Sequence, residues 1–212
     1  MNIYPENFRN FPESEKKIWM SVKDWIEEKS SDYEFDNVDY PELYGFKLVS
    51  TRRNIAAKKS VSAAKDGTSF TLLVAKFEII HEKFSRFNKT SRDIKEEFTH
   101  FGGYIELKEK ELGRAFFRPE GVKGSLSVTL EEISINETIS KTHRSWVENK
   151  DAFLEKTADK TEALTAILKE YKDLHIEFAG DAILFSTLNP IDEKELDIIL
   201  NAGIALDKAL NS

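Results

Sequence analysis

Asp66-Gly67 stands between two long runs of strand composition, Ile55 to Ala64 and Ser69 to Phe77. Asp-Gly in that position predicts a two-residue hairpin, because a type I′ turn needs φ > 0 at both central residues. In the second run Phe70, Leu72 and Val74 fall on one face, and Leu73, Ala75 and Phe77 on the other. A strand apolar on both faces belongs inside a sheet covered on both sides. It is expected to continue through Ile79 and Ile80. The chain must therefore supply further strands beside it and helices or loops above and below.

Helical periodicity supplies part of the cover. Ile18, Trp19, Val22, Trp25 and Ile26 make one apolar stripe from about Glu13 to Lys29, behind Pro12. Its two tryptophans read as core anchors, with an exposed binding stripe as the sharper alternative. Leu164, Ile167, Leu168 and Tyr171 form a second stripe, and Leu196, Ile199, Leu200, Gly203, Leu206 and Leu210 a third. Asp159–Glu162 and Asp192–Glu195 fit capping boxes at the starts of these two helices. Between them lie strands Leu174–Phe178 and Ala182–Leu188, joined at Gly180-Asp181. A central helix is expected from Ser91 to Phe101 on the spacing of Ile94, Phe98 and Phe101, stopped by Gly102-Gly103.

Tyr44–Thr51, Tyr104–Lys108, Ala115–Arg118 and Ser125–Leu130 complete the expected strands. There is no regular βαβ alternation. The expected class is α+β: an antiparallel or mixed sheet built from hairpins, packed with N-terminal, central and C-terminal helices. Residues 1–212 suit a single domain. A polar linker around Ser140 to Asp151 allows a subdivision into 1–140 and a helix–strand–strand–helix unit at 151–212.

Chemistry is sparse in this chain. It has no cysteine, which removes disulfides, thiolate nucleophiles and cysteine-held metals. His81-Glu82 begins an H-E-x-x-H pattern, but Ser85 occupies the second ligand position. Asp32, Glu34 and Asp36 alternate like a calcium loop, yet Asn37 and Leu43 replace its turn glycine and closing glutamate. His175 and Glu177 share one face of a predicted strand and read as an exposed polar face. No phosphate-binding glycine loop or nucleophile elbow occurs, and no cofactor or metal is expected.

Charge is segregated instead. Glu27 to Glu42 is concentrated acid, read as a loop or edge strand ending near Pro41. Arg52, Arg53, Lys58, Lys59 and Lys65 form a basic run without an intervening acid until Asp66. Net charge is −7, which disfavours nucleic acid and anionic membranes. No apolar run is long enough to span a bilayer, and Met1 to Glu6 shows no secretory pattern, so a cytoplasmic location is expected.

Phe101-Gly102-Gly103-Tyr104-Ile105-Glu106, followed by the C-terminal helix–strand–strand–helix unit, resembles a pattern in uncharacterised bacterial proteins, many of them membrane-attached. The resemblance covers the second half and implies a bacterial origin but no activity. The reading that follows is a non-enzymatic protein that binds a protein partner, as an immunity protein or adaptor does. Its expected contact residues are Asp32, Glu34, Asp36, Asp39, Arg52, Arg53, Lys58 and Lys59. Two alternatives stand beside it. One is an enzyme for a phosphorylated small molecule, using Arg52, Arg53 and His81 or His100. The other is a carrier with an apolar cavity. The oligomeric state is open.

Overall fold

The computed structural model describes residues 1–43, 45–48, 53–83, 92–108, 112–121 and 130–211, with the backbone alone for 53–54, 78–83 and 92–98. The Asp-Gly hairpin forms as its sequence predicts. Strand β2 (Arg53–Lys65) turns through Asp66 and Gly67, at φ 50° and 81°, into β3 (Thr68–Lys83). Both faces of β3 are buried, from Leu72 through Phe77. A short strand β1 (Glu34–Asn37) pairs with the outer edge of β2, with Glu34 opposite Ala64 and Asn37 opposite Val61.

On the other side of β3 lies β4 (Arg92–Glu106), in unbroken register from Thr71↔Tyr104 to Lys83↔Arg92. The central helix expected at Ser91–Phe101 is therefore a strand from Arg92 on, and Ser91 lies outside the described residues. Its i, i+4, i+7 spacing favours a helix, since a strand would put Phe101 on the face opposite Ile94 and Phe98, but a continuous ladder against β3 outweighs that local preference. Gly102-Gly103 is not a helix stop but part of β4. A Cβ on Gly103 would lie 2.0 Å from Phe185 Cζ, so the glycine admits that ring onto the strand.

Five further strands complete the sheet: β5 (Ala115–Pro119), β6 (Glu131–Ile133), β7 (His143–Val147), β8 (His175–Ala179) and β9 (Ala182–Ser186). The order is β1-β2-β3-β4-β9-β8-β5-β7-β6, and every pairing is antiparallel. Strand β7 occupies the segment expected as a polar linker. Its alternating His143, Ser145 and Val147 are buried, so the polar look of the sequence concealed an inward face. Residues 45–48 form a turn and bend rather than part of a strand. Most of the Ser125–Leu130 strand prediction falls outside the described residues, and Leu130 itself is a bend.

Helices α1 (Glu13–Lys29), α2 (Glu137–Ser140), α3 (Lys150–Lys156), α4 (Thr161–Glu170) and α5 (Glu193–Asn211) join these strands in an α+β fold. Helix α5 packs across β2, β3 and β4, and α1 and α4 pack on α5. Trp19, Val22, Trp25 and Ile26 of α1 are buried in this layer, as the stripe predicts. The capping expectations divide. Asp192 Oδ1 accepts the Glu195 amide at 2.8 Å, whereas α4 starts at Thr161 behind Lys160, with no side-chain cap.

Candidate partner-binding surface

The acidic and basic segments meet. Because β1 runs antiparallel to β2, Asp36 stands opposite Ser62, and the Val38 amide donates to Ser60 O at 3.5 Å. Asp32, Glu34, Asp36 and Asp39 are exposed along this margin, with Lys58 exposed and Lys59 half-buried on β2. No ion pair among the described residues joins those four acids to Lys58, Lys59 or Lys65. Instead Lys58 Nζ lies 4.9 Å above the Tyr40 ring and Lys65 Nζ 4.5 Å above that of Tyr33. Such cation–π contacts leave carboxylates and ammonium groups open to water or a partner.

A groove of about 510 Å³ extends this margin. Its walls are Ser30 to Glu34, after α1, and Ala64 to Ser69, around the β2–β3 turn. Arg52 lies outside the described residues, and Arg53 opens β2 opposite Ile79. His100 pairs with Ala75, four positions along β3 from Ile79, or about 13 Å at strand rise. Arg53 and His100 thus sit well apart along the sheet. His81 pairs with Ile94 two positions beyond Ile79 on β3, so by backbone register it lies toward the Arg53 end of the ribbon.

His175 and Glu177 depart from expectation. They are 4% and 3% exposed, not an open polar face. Residues 40–43 and 45–48 lie on this second face, placing Leu43, Phe46 and Leu48 against Leu73, Phe116 and Leu184. Glu177 ties them down: Lys47 N and Leu48 N each donate to one carboxylate oxygen at 2.8 Å. Arg114 donates to Gly45 O nearby. Burial raises the Glu177 pKa, and the two amides and Arg114 partly counter it.

Burial lowers the His175 pKa to about 4, helped by Arg118 and His143. Burial likewise lowers that of His143, whose Nε2 lies 2.9 Å from Leu174 O and therefore donates to it. Glu177 and His143 thus satisfy buried backbone groups.

The helical layer carries two acids that the sequence reading did not single out, Asp197 and Glu170, together with Glu28 from the acidic segment. Asp197 accepts from Trp25 Nε1 at 2.9 Å and pairs with Lys29 at 3.0 Å, clamping α1 to α5. Glu28 stands in the last turn of α1, and Glu170 is the last residue of α4. A helix C-terminus is its negative end, so an exposed carboxylate there costs about 0.3–1 kcal/mol. Glutamate closing a helix was the available signal. What it lies beside depends on helices far apart in the chain. Among the described residues, no group of three or more His, Asp or Glu side chains could hold a metal ion. No helix among them is long and apolar enough to cross a membrane.

No protein-family model matches the chain, and no curated protein matches it by sequence. The chain shares its fold with a solved structure. That structure is the crystal structure of the mycobacterial trehalose monomycolate transport factor A, TtfA. The likeness has a TM-score of 0.53 at 12% identity, over 91% of this chain and 94% of that one. At that identity it speaks for the architecture alone.

Proposed function

We propose that this protein binds a protein partner and does so without catalysis, through the β1–β2 margin of its sheet. The observation that carries the reading is the meeting of acidic and basic segments at a sheet edge, with no ion pair among the described residues between Asp32, Glu34, Asp36 or Asp39 and Lys58, Lys59 or Lys65. Glu34, Asp36 and Asp39 offer anions, Lys58 and Lys59 offer cations, and Tyr33 and Tyr40 offer flat apolar surface between them. Aromatic residues ringed by charge suit specific, salt-sensitive association. Among the described residues β1 is one of the two edge strands of the sheet, β6 being the other; it is four residues long and edged with carboxylates. Short charged edges resist self-aggregation while leaving a side for a chosen partner. A toxin-neutralising or adaptor role belongs within this reading, and the lack of cysteine is consistent with a reducing, cytoplasmic setting.

Affinity capture from the native host tests it. A stoichiometric protein should be retained by the wild type, lost from Asp36→Lys/Asp39→Lys, and released as salt rises from ~50 to ~500 mM. Recovery of no stoichiometric protein, or undiminished recovery with the double variant, counts against the proposal.

A further inference from the structure

A buried ion pair joins α1 to β3. Lys76 of β3 is 6% exposed, and its Nζ donates to Glu15 Oε2 of α1 at 2.6 Å. The same ammonium lies 4.9 Å over the Phe11 ring, and the Trp19 ring is centred 6.2 Å from that of Phe11. Glu15 and Trp19 stand one turn apart and share a face of α1.

Two polar atoms of this cluster are left over. Among the described residues neither Glu15 Oε1 nor Trp19 Nε1 has a hydrogen-bond partner, and both are shut off from solvent. Trp19 is 0% exposed, and the Glu15 side chain 11%. A buried donor or acceptor left unpaired gives up its hydration with nothing in exchange, which is why such groups nearly always have a partner. Trp25 follows that rule, since its Nε1 donates to Asp197 at 2.9 Å. Residues i and i+4 of a helix have Cβ atoms about 5–6 Å apart, a separation that one small molecule spans.

The two atoms make opposite demands. An indole N–H needs an acceptor, and a carboxylate oxygen needs a donor. An anion would meet the first demand but be repelled by Glu15. A metal cation would meet the second but leave the indole unpaired, and Lys76 already offsets the carboxylate's charge. A neutral group that both donates and accepts meets both demands. Water is the smallest such group, and buried water bonded to otherwise unpaired polar atoms is a regular part of protein interiors.

We propose that one buried water bridges Trp19 and Glu15, accepting from Nε1 and donating to Oε1. Trp19, the water, Glu15 and Lys76 then form one polar chain that links α1 to β3. The site lies apart from the β1–β2 margin and does not depend on partner binding.

A crystal structure of the full chain, at a resolution that shows ordered solvent, should place an oxygen within about 3.2 Å of both atoms. In solution, the Trp19 indole proton of the isotope-labelled chain should receive magnetisation from water. Its Overhauser effects in the laboratory and rotating frames should have opposite signs, as a long-lived bound water gives. Direct exchange of the indole proton with solvent gives equal signs instead. Trp19→Phe assigns the resonance by its disappearance.

Glu15→Leu/Lys76→Met replaces the ion pair with apolar side chains and leaves no unpaired charge behind. It should lose the water signal at Trp19 while keeping the Trp25 indole resonance in place. The two wild-type measurements decide the matter even if this variant does not fold. A Trp19 nitrogen bonded to a protein group, an ion or an empty gap between the two atoms, equal Overhauser signs, or a water signal that survives in the double variant overturns the proposal.

Discussion

His175 shows how much one strand position depends on what lies above it. In the sequence it alternates with Glu177 like an exposed pair, yet both are buried beneath residues 40–43 and 45–48 or the sheet's own neighbours. The consequence is a pH dependence with a definite sign. An unfolded histidine titrates near pH 6.5, whereas His175 in the fold does so at about 4. Between those values the unfolded chain binds more protons, so stability falls as pH drops through the window. The loss reaches about 3 kcal/mol for a shift of that size.

His143, also lowered by burial, adds in the same direction. Glu177 opposes them, because its pKa is raised and its contribution is lost as pH rises through the folded value. Urea unfolding between about pH 7 and 4 should show the fall, and His175→Gln should flatten it. A level wild-type profile, or an unaltered slope in the variant, would contradict this account.

At the scale of elements, the contact between α5 and the sheet turns on two glycines and two rings. Phe185 lies over Gly103, and Phe70 lies against Gly203 of α5; the rings are 5.8 Å apart. A Cβ on Gly203 would come within 2.3 Å of Phe70 Cζ. Gly203→Ala improves helix propensity by about 1 kcal/mol, but overpacking a rigid ring costs about 1–3 kcal/mol. Net destabilisation of about 1 kcal/mol is expected, read as a lower urea midpoint. Restoration by a further Phe70→Leu change would locate the clash. Helical periodicity in the sequence marks Gly203 as part of the buried stripe, and it is buried. What it faces was not legible, because Phe70 belongs to a strand more than a hundred residues earlier. The same distance effect misled the reading of Arg92–Phe101, where pairing with β3 decided a segment whose local pattern favours a helix.

At the scale of the molecule, one sheet runs through both halves of the chain. Strand β4 pairs with β9, and β5 lies between β8 and β7, so the C-terminal hairpin is sewn into the centre. Helix α5 then covers β2, β3 and β4 from the other end of the sequence. Heat or urea is therefore expected to unfold the chain in one transition, with far-UV and near-UV circular dichroism coinciding. Two separated transitions would assign residues 1–140 and 151–212 to independent units instead. Long-range antiparallel pairing on this scale also predicts slow refolding, since loops must close before their contacts form.

By itself the sequence determined the β2–β3 hairpin, the doubly buried β3, the first, fourth and fifth helices with their apolar stripes, and the separation of acid from base. Each of these is written in residues near one another, where turn geometry and side-chain period act directly. Only the tertiary structure decided that Arg92–Phe101 is a strand and that His175 and Glu177 are buried. Those outcomes depend on hydrogen-bond ladders and packing between segments far apart in the chain, and no local pattern carries that information.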